Sequence, residues 1–173
     1  MNKLILGAGL ALSLLAGCTD ANRPEVIQIS PTTAGYHKTD RKMNAAIAQA
    51  RETLPKALDT ARLASGGYAS GLQLKVAVPS QRGTEVIWVG SIAPKGDDSF
   101  TGAFVNTPIG LPGKTRGSKV SFAQSAIFDW SLPAGSGRYF GNYTTRVIAA
   151  DLPSARGKAI RATLTPRPTP FNW

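Results

Sequence analysis

The hydrophobic residues between positions 40 and 64 recur at the spacing of one helical face. Asp40 or Thr39 precedes this pattern as a helix cap, and Ser65-Gly66-Gly67 follows it as a stop. Pro55 interrupts the pattern because it lacks an amide hydrogen and disfavours helix at the preceding residue. We therefore predict two helices or one kinked helix, whose apolar face contains Met43, Ile47, Ala50, Leu54, Ala57 or Leu58, and Ala61.

Beyond residue 70 the pattern changes to the alternation of half-buried strands. Leu72, Leu74, Val76 and Val78 alternate with polar or small residues and predict a first strand. Further strands are predicted at 85–92, 100–106, 119–122, 126–132 and 139–149, while residues 152–165 remain ambiguous. Short turns between these strands favour antiparallel pairing. The predicted fold class is α+β, with an N-terminal helix or kinked helix pair packed on a small antiparallel sheet of five to six strands.

The first residues have the organisation of a bacterial lipoprotein signal. Lys3 provides the positive region, residues 4–15 the apolar region, and Ala16-Gly17 the small residues before Cys18. An uncleaved transmembrane helix is the alternative, but an apolar stretch of about 14 residues is shorter than a bilayer requires. We therefore predict that Cys18 carries the lipid and becomes the mature N-terminus.

The remaining chain divides into segments of different composition. Prolines and a glycine break any regular pattern before the helix, although residues 26–29 are compatible with an edge strand. We predict a signal peptide at 1–17, a tether at 18–39, an α+β domain at 40–152, and a basic, proline-rich C-terminal extension at 153–173.

Charge narrows the choice of partners. The chain carries 20 Lys and Arg against 10 Asp and Glu, a formal net charge of +10. Thr19, in place of an aspartate after the lipidated cysteine, favours the outer membrane facing the periplasm, where nucleic acid is not an expected partner. A basic surface there would meet anionic lipid headgroups, lipopolysaccharide phosphates or peptidoglycan carboxylates. A basic surface without a dedicated ligand is the alternative.

Cysteine and histidine are scarce. Cys18 is the only cysteine, and its lipidation would leave the mature chain without a free thiol. Disulfides, thiolate metal sites and cysteine nucleophiles are then excluded. His37 is the single histidine and lies in the predicted tether. We predict no metal site and no cofactor.

Spaced pieces of the sequence resemble a known family. They are Glu85-Val86-Ile87-Trp88-Val89, Gly102 with Asn106-Thr107-Pro108, Gly117 with Val120-Ser121-Phe122, Ile127-Phe128-Asp129-Trp130, and Gly141-Asn142-Tyr143-Thr144-Thr145-Arg146. In this order they resemble the bacterial family of unknown function numbered 2314, the YegJ-like proteins, as does the upstream Ala50-Arg51-Glu52-Thr53-Leu54-Pro55. The resemblance implies a compact α+β domain and no established activity. Ile87 stands where members often carry histidine, so a role of that histidine does not transfer.

Asp129 is the most informative polar residue, because aromatic residues flank it and a desolvated carboxylate needs a partner. Arg146 is the candidate partner, through a bidentate pair. This pair would either fix strand register or grip a ligand in a cleft. The candidate binding residues around it are Trp88, Asp129, Trp130, Tyr143, Thr144 and Arg146. No catalytic residue is assigned, since a lone Asp and Arg lack the oriented base that a hydrolase needs.

The longest predicted loop, at residues 107–117, carries three glycines and two cations. Its glycines would let backbone amides approach an anion, with Lys114 and Arg116 adding positive charge as candidate binding residues. The spacing matches no phosphate-binding loop, and an ordinary mobile connector is the alternative.

These features favour a non-enzymatic envelope lipoprotein that binds a protein or an anionic envelope component through its basic helix face and this loop. The alternatives are an inhibitor or immunity-type protein for a periplasmic enzyme, and a cell-wall hydrolase or transferase that uses Asp129. Trp173 follows three prolines and is expected to dock on the domain, a partner or the lipid interface. Deletion of residues 166–173 is expected to leave folding intact.

Overall fold

The computed structural model describes residues 27–30, 33–35, 40–81, 83–152 and 154–173. The predicted signal peptide, the lipidation at Cys18 and the position of His37 lie outside these residues. Within them, no helix combines the length and the apolar character needed to cross a bilayer.

A short hairpin precedes the main domain. Strand β1 (Ile27–Ser30) pairs antiparallel with β2 (Thr33–Gly35) in a two-stranded sheet. The strand expected near residues 26–29 therefore pairs with its neighbour in sequence and not with the edge of the larger sheet.

One continuous helix, α1 (Arg41–Ala61), forms from the first amphipathic pattern. Asp40 caps it as predicted, because its carboxylate accepts a hydrogen bond from the Met43 amide at 2.8 Å. Pro55 lies inside the helix without dividing it. The buried residues are Met43, Ala46, Ala50, Leu54, Ala57, Leu58 and Ala61. They match the predicted face except that Ala46 is buried and the predicted Ile47 is only half-buried.

Six strands form one antiparallel sheet. They are β3 (Gln73–Ser80), β4 (Gly83–Gly96), β5 (Ser99–Phe104), β6 (Lys119–Ala123), β7 (Ile127–Pro133) and β8 (Tyr139–Gly141), in the spatial order β6-β5-β4-β3-β7-β8. This arrangement confirms the predicted α+β class, with the helix followed by an antiparallel sheet of six strands.

The core lies between α1 and one face of this sheet. Leu74, Val76 and Val78 of β3 are buried against the apolar residues of α1, and their burial removes apolar surface from water. Lys75 and Ala77 alternate with them and are half-buried on the other face. The sheet therefore has one face in the core and one that is partly open.

The predicted strand at 139–149 is wrong beyond its third residue. After β8 the chain forms α2 (Tyr143–Asp151), and α3 (Ser154–Ala162) occupies most of the segment that the sequence left ambiguous. Gly141 and Asn142 have φ angles of 69° and 58°, which turn the chain out of the sheet. A Cβ at Gly141 would overlap the Trp130 carbonyl oxygen, so this turn requires glycine.

The C-terminal residues return to the sheet. Leu164 forms a bridge with Tyr139 of β8, and the Gly141 amide donates to the Pro168 carbonyl at 2.7 Å. The Trp173 ring lies 5.4 Å from the Trp130 ring, measured between centroids. Trp173 therefore docks on the domain, and this packing speaks against the expectation that residues 166–173 are dispensable for folding.

Candidate functional site

Asp129 lies at the centre of the candidate site and is completely buried. Its Oδ1 accepts hydrogen bonds from the amides of Trp130 at 2.8 Å and Tyr143 at 3.1 Å. Its Oδ2 accepts from the Thr144 amide at 2.7 Å and the Thr144 hydroxyl at 2.6 Å. Both carboxylate oxygens are thus fully engaged by the chain itself.

These bonds make Asp129 the cap of α2. The residue at the N-cap position, Asn142, makes no capping hydrogen bond because its side-chain amide donates to Ser131 Oγ at 2.9 Å and the Phe140 carbonyl at 3.0 Å. Asp129 replaces it from the neighbouring strand β7 and places a negative group at the positive end of the helix. The carboxylate therefore fixes where α2 begins.

Lys75 completes this cluster from β3. Its Nζ donates to Thr144 Oγ1 at 2.9 Å, so the threonine hydroxyl bridges the ammonium and the Asp129 carboxylate. Nζ also lies 5.3 Å from the centroid of the Trp88 ring, a cation–π contact on the partly open sheet face. Lys75 and Asp129 are directly opposed in the β3–β7 register.

Burial shifts the titration of both charged groups. It raises the pKa of Asp129, an effect that the Lys75 charge and the hydrogen bonds from Thr144 and Trp130 oppose. It lowers the pKa of Lys75, an effect that the Asp129 charge opposes. In both groups the loss of solvation is the larger influence.

Arg146 does not form the predicted pair with Asp129. Its Nε donates to the Gly141 carbonyl at 3.0 Å, and its Nη1 and Nη2 donate to the Thr165 carbonyl and hydroxyl at 2.8 and 3.2 Å. The bidentate expectation was wrong because residue 146 lies on α2 and not on a strand facing Asp129. Arg146 instead fastens the C-terminal segment to the domain.

The two aromatic residues of the cluster anchor α1. The Trp130 indole donates to the Ala50 carbonyl at 3.1 Å and to Thr53 Oγ1 at 3.0 Å. The Tyr143 hydroxyl lies 3.1 Å from the same Thr53 oxygen, and its ring meets that of Trp130 edge-on at 6.0 Å. Trp130 and Tyr143 are therefore buried structural contacts between α1, β7 and α2.

The cluster offers no polar atom of Asp129 or Thr144 to a ligand. Both residues are buried, and two shallow surface grooves of about 420 and 370 Å³ lie elsewhere. Within the described residues no three histidine, cysteine or acidic side chains converge on a point that could hold a metal ion. The grooves are lined by residues 79–81, 110–112 and 114, and by residues 140, 165–167 and 169–171.

The loop at 107–117 is tied to the sheet by Glu85 of β4. The Glu85 carboxylate accepts hydrogen bonds from the amides of Ile109 at 2.9 Å and Gly110 at 2.8 Å. The Gly110 amide is therefore occupied, as is that of Gly117, which donates to the Phe104 carbonyl at 2.8 Å, so these two predicted amides do not face an external anion. Further bonds, such as that from the Arg116 amide to Thr107 Oγ1 at 3.3 Å, connect parts of the loop to each other.

The side chains of this loop remain available. Lys114 and Arg116 are exposed, as is Lys119 at the start of edge strand β6. No acidic residue lies between positions 107 and 123, and the Glu85 carboxylate, which contacts the loop, is bonded to the Ile109 and Gly110 amides. We call Lys114, Arg116 and Lys119 the loop cations.

Three cations of α1 and its C-cap also contact other parts of the chain. Arg51 donates to the carbonyls of Ile127 at 2.9 Å and Ser125 at 3.1 Å. Arg62 lies over the Tyr68 ring, and Lys42 Nζ is 4.0 Å from Asp151. These three cations are nevertheless exposed, as are Arg41 and Lys56 of the same helix, so the basic helix face also stays open to solvent.

Sequence reasoning missed Lys75 and Glu85. The alternation of β3 correctly places Lys75 away from the core, but only the strand register reveals Asp129 opposite it. Glu85 gives no local indication, because its partners Ile109 and Gly110 belong to a loop reached through another strand.

Comparison with known proteins gives one match. The family model described as "Uncharacterized protein conserved in bacteria (DUF2314)" matches residues 40–162. No curated protein and no solved structure matches the chain. The matched range runs from the cap of α1 to the last residue of α3 and includes both the Asp129 cluster and the loop.

Proposed function

The chain belongs to this uncharacterized bacterial family, DUF2314, and on that premise we propose that it is a lipid-anchored, non-enzymatic binding module of the cell envelope. Within the family we assign it to the YegJ-like proteins on the motif residues quoted above. The anchor is supported by the small residues before Cys18 and by the apolar stretch that precedes them. Thr19 supports the outer membrane, with the domain in the periplasm.

We infer that the loop cations bind an anionic envelope component with closely spaced phosphates or carboxylates. The observation that carries this inference is the pair of hydrogen bonds from Ile109 and Gly110 to Glu85. Because they hold the loop before any ligand arrives, Lys114 and Arg116 can bind without a large loss of backbone entropy.

A binding role agrees better with the Asp129 cluster than catalysis does. An acid or base must reach the proton that it transfers. Both oxygens of Asp129 are buried and bonded to Trp130, Tyr143 and Thr144. The raised pKa of Asp129 results from this burial, with loss of solvation as its largest cause.

The test is binding of the full chain, purified from membranes in mild non-ionic detergent, to peptidoglycan sacculi and to immobilised lipopolysaccharide. The combined Lys114→Ala and Arg116→Ala variant should bind about tenfold or more weakly, because each cation near an anionic surface contributes about 1 kcal/mol. Wild-type binding should weaken with added salt. The two supports distinguish carboxylate-bearing from phosphate-bearing polymers.

The matched control removes two exposed cations of α1, with Arg41→Ala and Lys56→Ala in one chain. It has the same net charge as the loop variant and should bind nearly as the wild type does. Equal losses in the two variants, or binding that salt leaves unchanged, would contradict a role of the loop.

A second candidate is an inhibitor of a periplasmic enzyme. Ile109, on the same preformed loop, exposes 46% of its surface, although an apolar side chain gains nothing from water. A rigid loop with an exposed apolar residue suits insertion into another protein's cleft. Cross-linking in intact cells followed by purification should then recover one enzyme, and Ile109→Ser should abolish that recovery.

A further inference from the structure

The C-terminal segment, residues 163–173, is held on the domain at several points. The Thr165 hydroxyl lies 3.0 Å from the Tyr139 carbonyl and receives a bond from Arg146. The Pro168 carbonyl accepts from Gly141, and the Trp173 ring packs on Trp130. The residues between Pro168 and Trp173 therefore have a defined position.

Phe171 lies between these fixed points and is 85% exposed, more than any other large hydrophobic residue of the described chain. The Arg167 guanidinium lies 4.9 Å from the centre of its ring. Proline residues at 166, 168 and 170 restrict the backbone that leads to Phe171. An aromatic side chain is thus presented to solvent on a rigid segment, next to a positive charge.

The chain that leads to Phe171 carries only positive charge. Residues 154–173 contain four basic and no acidic side chains. Arg156 and Lys158 are exposed on α3, whereas Arg161 is bonded to the Ala149 carbonyl. Tyr139, 39% exposed on β8, is bridged to Leu164 of the same segment and adds a second aromatic ring.

We propose that the C-terminal segment lies on an anionic phospholipid surface, with Phe171 inserted among the headgroups and Arg156, Lys158 and Arg167 facing phosphates. Exposed aromatic rings beside basic residues are typical of the membrane interface. The absence of any carboxylate in residues 154–173 matches a negatively charged surface. The inference rests on the proposed anchor, which brings the domain to a bilayer, and is independent of the ligand of the loop.

The experiment places a nitroxide beside Phe171. Asn172→Cys introduces an exposed thiol, which is the only free one if Cys18 is acylated. The full chain is reconstituted into vesicles of phosphatidylcholine alone or with phosphatidylglycerol. In the anionic vesicles we expect a several-fold fall in accessibility to a water-soluble nickel complex and a rise in accessibility to oxygen.

Two variants test the residues responsible. Phe171→Ser should restore the nickel accessibility of the label in anionic vesicles. Leu63→Ser is the matched control, because Leu63 is an exposed apolar residue outside the segment, at 45% exposure, and should leave the label shielded. Circular dichroism confirms that both variants remain folded.

The possible results distinguish a failure of the docking proposal from a failure of the proposed lipid anchor. Two labels per chain and loss of flotation with vesicles would indicate an unmodified Cys18 and reject the anchor. A chain that floats while its label stays open to the nickel complex would overturn the docking proposal alone. Equal shielding of the label in zwitterionic and anionic vesicles would also overturn the docking proposal. So would a label that is shielded from oxygen as well as from nickel, because that pattern indicates contact with protein.

Discussion

Asp129 connects three elements through one side chain. It belongs to β7, caps α2 through the amides of Tyr143 and Thr144, and reaches Lys75 of β3 through the Thr144 hydroxyl. Its aromatic neighbours correctly predicted that this carboxylate needs a partner. The partner itself could not be predicted, because Lys75 meets Asp129 only through the strand register.

Replacement of Asp129 with asparagine should lower the free energy of unfolding by about 2–4 kcal/mol at neutral pH. An amide group would face donors that now bond to a carboxylate oxygen, which leaves buried polar groups unsatisfied. Thermal melting of the full chain, followed by circular dichroism, measures this loss. Asp97→Asn, in the exposed turn between β4 and β5, is the control and should melt as the wild type does.

The cost of Asp129→Asn should also depend on pH. Burial raises the pKa of Asp129 above 3.8, so the folded protein holds this proton more tightly than the unfolded chain does. The resulting stabilisation is present below pH 3.8 and is lost as the pH rises through the folded pKa. The Asp129→Asn variant has no carboxyl group that titrates at this position. The difference in unfolding free energy between wild type and variant should therefore decrease as the pH rises. A difference that increases with pH would show that the attraction between Asp129 and Lys75 outweighs the desolvation of Asp129.

Helix α2 shows why the local sequence pattern wrongly predicted a strand at residues 142–149. Its sequence is rich in β-branched and aromatic residues, which favour strand. The helix forms because Gly141 and Asn142 turn the chain and because Asp129, from another strand, caps its first amides. The Gly-Asn pair was a local indication of the turn, whereas the cap is a tertiary contact that no window of sequence contains.

The C-terminal segment should contribute to stability through Trp173. Truncation in Trp173→Ala removes the tilted ring contact with Trp130 and partly exposes that ring, so we expect a loss of about 1–2 kcal/mol. Chemical denaturation of the full chain measures this difference. Asn172→Ala alters an exposed neighbour and should have little effect. Equal midpoints for Trp173→Ala and wild type would show that the segment packs without stabilising the domain.

At the scale of the whole molecule, some features could be predicted from the sequence and others could not. The α+β class, α1 with its Asp40 cap and most strands followed from periodicity, because a core face imposes its own spacing. The Asp129 cluster and the fixed loop depend on contacts between distant residues and needed the structure. The motif residues Gly141, Tyr143 and Arg146 all have structural partners, so we place the proposed binding function on the surrounding surface.

Cys18→Ala should release the protein from the membrane fraction into the soluble periplasm. The substitution removes the only thiol that could carry the lipid, and acyl chains supply about 0.8 kcal/mol per buried CH₂. Fractionation of cells that express the wild type or the variant measures the change. Ser13→Ala, within the predicted signal peptide, should leave the protein in the membrane. Continued membrane retention of the cysteine variant would reject lipidation as the anchor.

We propose that the Asp129 cluster builds the domain while the loop cations bind the ligand. The most direct measurement is retention of Asp129→Asn on sacculi and immobilised lipopolysaccharide, at a temperature where the variant is still folded. We predict a lower melting temperature than wild type and unchanged retention on the support that binds the wild type. Unchanged melting with lost retention would place the binding site at Asp129 and contradict this account.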